Sequence, residues 1–179
     1  MSDTIFHRHG HSDIKRWMLF VDGENFTLRA QELAKKSGLQ LRPGEYYSPD
    51  VFIWFHLLFQ VEVLGYKGIG KKVTPYFQSP PLRSYYYTSV VGDDQKVLQV
   101  KQCLWDIGFY PEVFKKPKRN YKTKGVDISL TKDVLSHAFH DNYDLVVILT
   151  GDGDYIPLIN EVKHLGKLVY IAFFSESNG

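Results

Sequence analysis

Short apolar runs alternate with helix-period stretches from Trp17 onward. Residues 17–21 (WMLFV) have strand length and end at Asp22-Gly23. A helix follows from about Asn25 to Lys36, with Leu28, Ala30, Leu33 and Ala34 at roughly helical spacing and Ser37-Gly38 as its stop. Pro43, Gly44 and Pro49 make residues 39–50 read as loop. Residues 51–59 fit either a buried strand or a short helix, and 66–81, rich in Gly and Pro, read as irregular. Residues 83–91 (RSYYYTSVV) read as a strand in which Tyr85, Tyr86 and Tyr87 alternate between faces. Asp93 or Asp94 then caps a helix to about Ile107, whose apolar face is Val97, Val100, Leu104 and Ile107. Cys103 falls beside that face and is expected to be a small buried hydrophobe. A strand over 109–114, a basic loop over 115–124 and a helix over 126–140 come next. Residues 145–150 (LVVILT) are nearly all apolar, as in a strand buried on both faces of a parallel sheet. A helix over 155–165 and a strand over 168–173 complete the pattern. Strands alternating with helices predict an α/β fold with a central, mostly parallel sheet.

Composition narrows this in three ways. With 179 residues, 44% of them hydrophobic, the chain supports one domain with a real core and is short for two. Its single cysteine excludes an internal disulfide framework and suits a reducing compartment. Residues 1–16 lack an apolar signal region, and residues 51–64 are too short and too interrupted by His56, Gln60 and Glu62 to span a bilayer as a helix. The expectation is a soluble, cytoplasmic protein with no membrane partner. Residues 1–16, with His7, His9 and His11, read as a disordered leader, and residues 17–179 as a single domain.

The candidate chemistry is acidic. In open α/β sheets, ligands bind outside the carboxyl ends of the strands. Asp22 closes the first strand, and Asp152 and Asp154 follow the strand at 145–150 in the turn Thr150-Gly151-Asp152-Gly153-Asp154. Asp127 falls in the first turn of the next-to-last helix. Four carboxylates converging without cations would repel one another, and hard divalent ions relieve that repulsion. Such a centre, holding one or two Mg²⁺ or Mn²⁺ ions, can activate water against a phosphodiester. Asn25 reads as a helix cap that can also touch a metal-bound water or a phosphate. Asp133, about 9 Å further along its helix than Asp127, is expected to play an outer or surface role.

Lys115, Lys116, Lys118, Arg119, Lys122 and Lys124 crowd ten residues that hold no acid, while the whole chain is only +2. The positive excess is thus focused directly before Asp127, where a polyanion can lie on the cations as its phosphate enters the acidic pocket. Tyr121, inside this stretch, can stack on a base.

At Phe20-Val21-Asp22-Gly23-Glu24-Asn25, Lys124-Gly125-Val126-Asp127 and residues 150–158 (TGDGDYIPL), the chain resembles the NYN domain family, the LabA-like branch of the PIN-like nucleases. The motifs occur in the family's order. The resemblance implies a three-layer α/β/α PIN-like fold and an endoribonuclease using Mg²⁺ or Mn²⁺. It places the metal-binding, catalytic acids at Asp22, Asp127, Asp152 and Asp154, with RNA as the partner. Thr150 stands where the family usually has Ser, which keeps the hydroxyl. Residues 39–82 exceed the family core and are a candidate insertion that shapes a substrate groove or a homo-oligomer contact. Two competing readings are a catalytically silent RNA-binding or assembly module and a haloacid-dehalogenase-like phosphatase. The latter is weakened because Glu24 and Ile156 stand where that chemistry needs further aspartates.

Overall fold

The computed structural model describes residues 16–36, 38, 46–48, 51–53, 80–118, 121 and 123–173. Residues 1–15 of the expected leader 1–16, most of the candidate insertion and Arg119 and Lys122 of the basic stretch lie outside the described residues. Five parallel strands form the sheet: β1 (Trp17–Asp22), β4 (Arg83–Val91), β5 (Tyr110–Lys116), β6 (Leu145–Leu149) and β7 (Leu168–Ala172), in the order β5-β4-β1-β6-β7. The helices are α1 (Gly23–Lys36), α2 (Asp94–Asp106), α3 (Lys124–Phe139) and α4 (Ile156–His164).

The near-continuous apolarity of β1 and β6 follows from burial on both faces. Trp17, Leu19, Val21, Leu145, Val147 and Leu149 pack with Phe26 of α1 and Val100 and Leu104 of α2. Met18, Phe20, Val146 and Ile148 pack with Val126, Leu130 and Val134 of α3 and Leu158 and Val162 of α4. The result is the expected three-layer α/β/α architecture. The three tyrosines of β4 alternate as their spacing predicts, Tyr86 entering the first core and Tyr85 and Tyr87 the second.

Several local expectations need correction. Residues 46–48 are not loop. They form β2 (Tyr46–Ser48), which pairs antiparallel with β3 (Val51–Ile53). Cys103 is exposed rather than buried, because the buried stripe of α2 is narrowed to Val100 and Leu104. The basic stretch is not one loop. Lys115 and Lys116 continue β5, in register with Val90 and Val91, and Lys124 begins α3. Asp93 rather than Asp94 is the cap of α2, its Oδ1 accepting from Lys96 N at 2.8 Å.

The β1–α1 junction is set by a close approach. A Cβ on Gly23 would stand 2.1 Å from the ring of Tyr86, which is fully buried. We expect Gly23→Ala to destabilise the fold by about 1–3 kcal/mol. Urea unfolding checks this, and an unchanged midpoint would contradict it.

Candidate active site

The strand order reverses beside β1, because the chain builds β4 and β5 on one side of it and then β6 and β7 on the other. Such a reversal leaves a crevice outside the carboxyl ends of the strands. Asp22 ends β1, and Thr150 directly follows β6, so both stand at the crevice.

Asp22 has two roles. Helix α1 starts at Gly23, two residues earlier than its pattern predicts, and Asp22 is its cap: Oδ1 accepts from Asn25 N at 3.1 Å. Asn25 is therefore not the cap. Its Oδ1 instead accepts from Gly151 N at 3.0 Å, fastening α1 to the turn after β6. The other oxygen of Asp22, Oδ2, accepts from Thr150 Oγ1 at 3.0 Å. Thr150 Oγ1 in turn accepts from Asp152 N at 3.1 Å. Thr150 and Asn25 thus hold the two motifs together.

An open hollow at this junction is lined by Asp22, Glu24, Asn25, Leu28, Thr123, Asp127 and Asp152. Three of the four aspartates singled out in the sequence therefore face one space. Asp154 does not line it. Its side chain is exposed, and its main-chain N donates to Asp152 Oδ1 at 3.0 Å, shaping the short 3₁₀ turn Gly153–Tyr155. Asp133 lies outside the hollow, where it accepts from Tyr87 OH at 2.9 Å.

Tyr155 received no role in the sequence reading. It is buried, and its OH donates to Asp127 Oδ1 at 3.1 Å. Burial first, then the charges of Asp22, Asp127 and Asp152, push its phenol far above the usual range, so it stays protonated and orients Asp127. Its only sequence signal is its place directly after the acidic turn. Thr123 was also missed. It occupies the cap position of α3 without making a side-chain cap bond, and among the described residues its buried Oγ1 has no hydrogen-bond partner.

The cations divide into separate environments. Lys118 and Tyr121 are exposed between β5 and α3. Lys115 pairs with Asp94 at 2.9 Å on the surface. Lys116 is buried and bonded to Glu24 at 3.0 Å, so it is not the surface cation that its neighbours suggest. The side chain of Lys124 lies outside the described residues.

The donor set is all oxygen: the four carboxylates of Asp22, Glu24, Asp127 and Asp152, the Asn25 carboxamide and the Thr123 hydroxyl. Hard cations such as Mg²⁺ and Mn²⁺ prefer such donors. Among the described residues, no three His, Cys, Asp or Glu side chains form a ready-made metal cage. That arrangement fits Mg²⁺, which usually takes one or two carboxylates and keeps several waters and substrate oxygens.

Burial pushes the Asp22 carboxyl up to about 6, with the charges of Asp127 and Asp152 adding to the rise and the bonds from Asn25 and Thr150 opposing it. An unfolded Asp titrates near 4. Below that pH the carboxyl is protonated whether folded or not, so nothing is lost. Between about pH 4 and pH 6 the folded protein holds a proton that the unfolded chain releases, so stability falls as pH rises. The full penalty, roughly 3 kcal/mol, remains at neutral pH. Asp22→Asn escapes this penalty. In EDTA, its stability relative to the parent protein should therefore improve as pH rises from 4 to 7, measured by urea unfolding. A difference that stays constant with pH would contradict this account.

Among the described residues, no helix is long and apolar enough to cross a membrane. A comparison with curated proteins found no match. The chain is similar in structure to a crystal structure of a protein of unknown function from Vibrio parahaemolyticus RIMD 2210633. The TM-score is 0.52 and the identity 19%, with 89% of this chain and 82% of that chain covered. At that identity the likeness bears on the fold alone. The family model of the NYN domain matches residues 16–179. This family is generally nuclease-like, with a PIN-like fold. By this match over nearly its whole length, the chain belongs to the NYN domain family.

Proposed function

We propose that this protein is a Mg²⁺- or Mn²⁺-dependent endoribonuclease. The observation that carries the reading is the convergence of Asp22, Asp127 and Asp152 on one hollow, with Asp22 buried at a cost that a cation would offset. A bound divalent ion supplies an activated water and charge neutralisation for phosphodiester hydrolysis.

The chain's own residues prepare that chemistry. Asn25 N and Thr150 Oγ1 fix both oxygens of Asp22. Tyr155 orients Asp127, and the Asp154 amide orients Asp152. Thr123 lines the same wall, and among the described residues its buried hydroxyl has no partner. The exposed Lys118 gives an RNA backbone electrostatic purchase, a role that the charge pattern of the sequence extends to Arg119, Lys122 and Lys124, and Tyr121 offers a ring for a base. Asp154 acts from the rim in this scheme.

The second reading is the silent RNA-binding module, which would share the exposed cation and aromatic ring at Lys118 and Tyr121 and differ in turnover. Cleavage of a labelled RNA with Mn²⁺, and its loss in EDTA, separates the two. We expect Asp152→Asn to lower cleavage by more than about 100-fold while keeping the fold. Asp154→Asn should lower it by about 10-fold, the effect of losing an outer contact. Equal losses would contradict the placement of Asp154, and undiminished cleavage by Asp152→Asn would contradict the enzyme.

A further inference from the structure

One wall of the hollow contains a buried ionic contact that the proposed reaction does not yet use. Lys116, the last residue of β5, has a side chain only 6% exposed, and its Nζ donates to Glu24 Oε1 at 3.0 Å. Ser89 of β4, fully buried, donates to Glu24 Oε2 at 2.8 Å. Glu24 belongs to the first turn of α1 and lines the hollow two residues after Asp22. Three elements therefore meet on one carboxylate.

This clamp complements the one on the other side of the same turn. Asp22 and Asn25 are tied to Thr150 and Gly151 beside β6, while Glu24 is tied to β4 and β5. The first turn of α1 is thereby held against both halves of the sheet. With Lys116 beside it, Glu24 brings a carboxylate to the hollow without adding an uncompensated charge to the three aspartates. Each of its oxygens accepts one bond from the clamp and keeps a lone pair for a water.

We propose that Lys116 is a positioning residue: through the Lys116–Glu24–Ser89 clamp it sets Glu24 as an outer carboxylate that accepts hydrogen bonds from the waters around a cation in the hollow. The inference rests on the reading that the hollow binds such a cation. A buried lysine on an edge strand can also serve only to protect the edge. The two roles differ in a measurable sign. If Lys116 were merely a nearby positive charge, removing it would tighten cation binding. If it positions Glu24, removing it weakens binding.

The test is Mn²⁺ affinity of the full chain by calorimetry, with folding checked by circular dichroism. The parent protein is compared with Lys116→Met, Lys116→Arg, Ser89→Ala and Glu24→Gln. Outer partners of metal sites typically matter by 10- to 100-fold, so we expect about 10-fold weaker binding for Lys116→Met and Glu24→Gln. Lys116→Arg should recover part of the loss. Ser89→Ala, which removes one hydroxyl, should weaken binding severalfold and carries the test if Lys116→Met does not fold. Unchanged or tighter Mn²⁺ binding by folded Lys116→Met, or by Ser89→Ala in its place, overturns the proposal and leaves the metal site standing. Mn²⁺ binding intact but RNA binding weakened in Lys116→Met overturns it as well, returning Lys116 to the backbone-gripping cations. A parent protein that binds no Mn²⁺ overturns both the site and the clamp's role.

Discussion

The site depends on one buried carboxylate. Asp22 is 3% exposed, it ends the central strand, and it closes the first turn of the helix that follows. Burying a charge raises its pKa unless a partner compensates. The nearby charges of Asp127 and Asp152 make the burden heavier, while the donors Asn25 N and Thr150 Oγ1 relieve part of it. The protein thus keeps an acid where solvation is poor and repulsion strong. The strand order makes this placement natural, since the chain leaves β1 for α1 on one face of the sheet and leaves β6 for α4 on the other, which opens a crevice at the strand ends between them.

Rigidity around that space comes from short polar links between motifs far apart in the chain. Asn25 to Gly151 and Thr150 to Asp22 span the β1–β6 seam, and Tyr155 to Asp127 connects α3 to the turn after β6. The links are made by groups already needed as caps or turn formers, so the site is assembled largely from the fold's own termini. The connection between β5 and α3 starts at buried Lys116, bonded to Glu24 of the hollow, and ends at Thr123, which lines the hollow itself.

The sequence made the fold and the acids legible because their signals are strong. Apolar strands that end in aspartate, at Asp22 and just before Asp152, need the particular environment found at strand ends. The acids' companions were harder to read. Asn25 looked like a cap because Asn is among the preferred cap residues, but Asp22 took that role and freed Asn25 to reach Gly151. Tyr155 acts through a contact 28 residues away, which no local pattern encodes. Lys115 and Lys116 looked alike within a charge run. Strand alternation sends one to the surface and the other inward to Glu24, and that distinction requires knowing where β5 ends. Asp154 matched its motif, but the turn that positions Asp152 uses its amide and leaves its carboxylate outside.

The most direct test follows the side-chain carboxyl ¹³C resonance of Asp22 through a pH titration, first without divalent ions and then with Mg²⁺. The account predicts a midpoint near 6 in the metal-free protein and a clear fall when Mg²⁺ is present, because a nearby cation favours the ionised form. A midpoint near 4 in both titrations, the ordinary value for an aspartate, would contradict it.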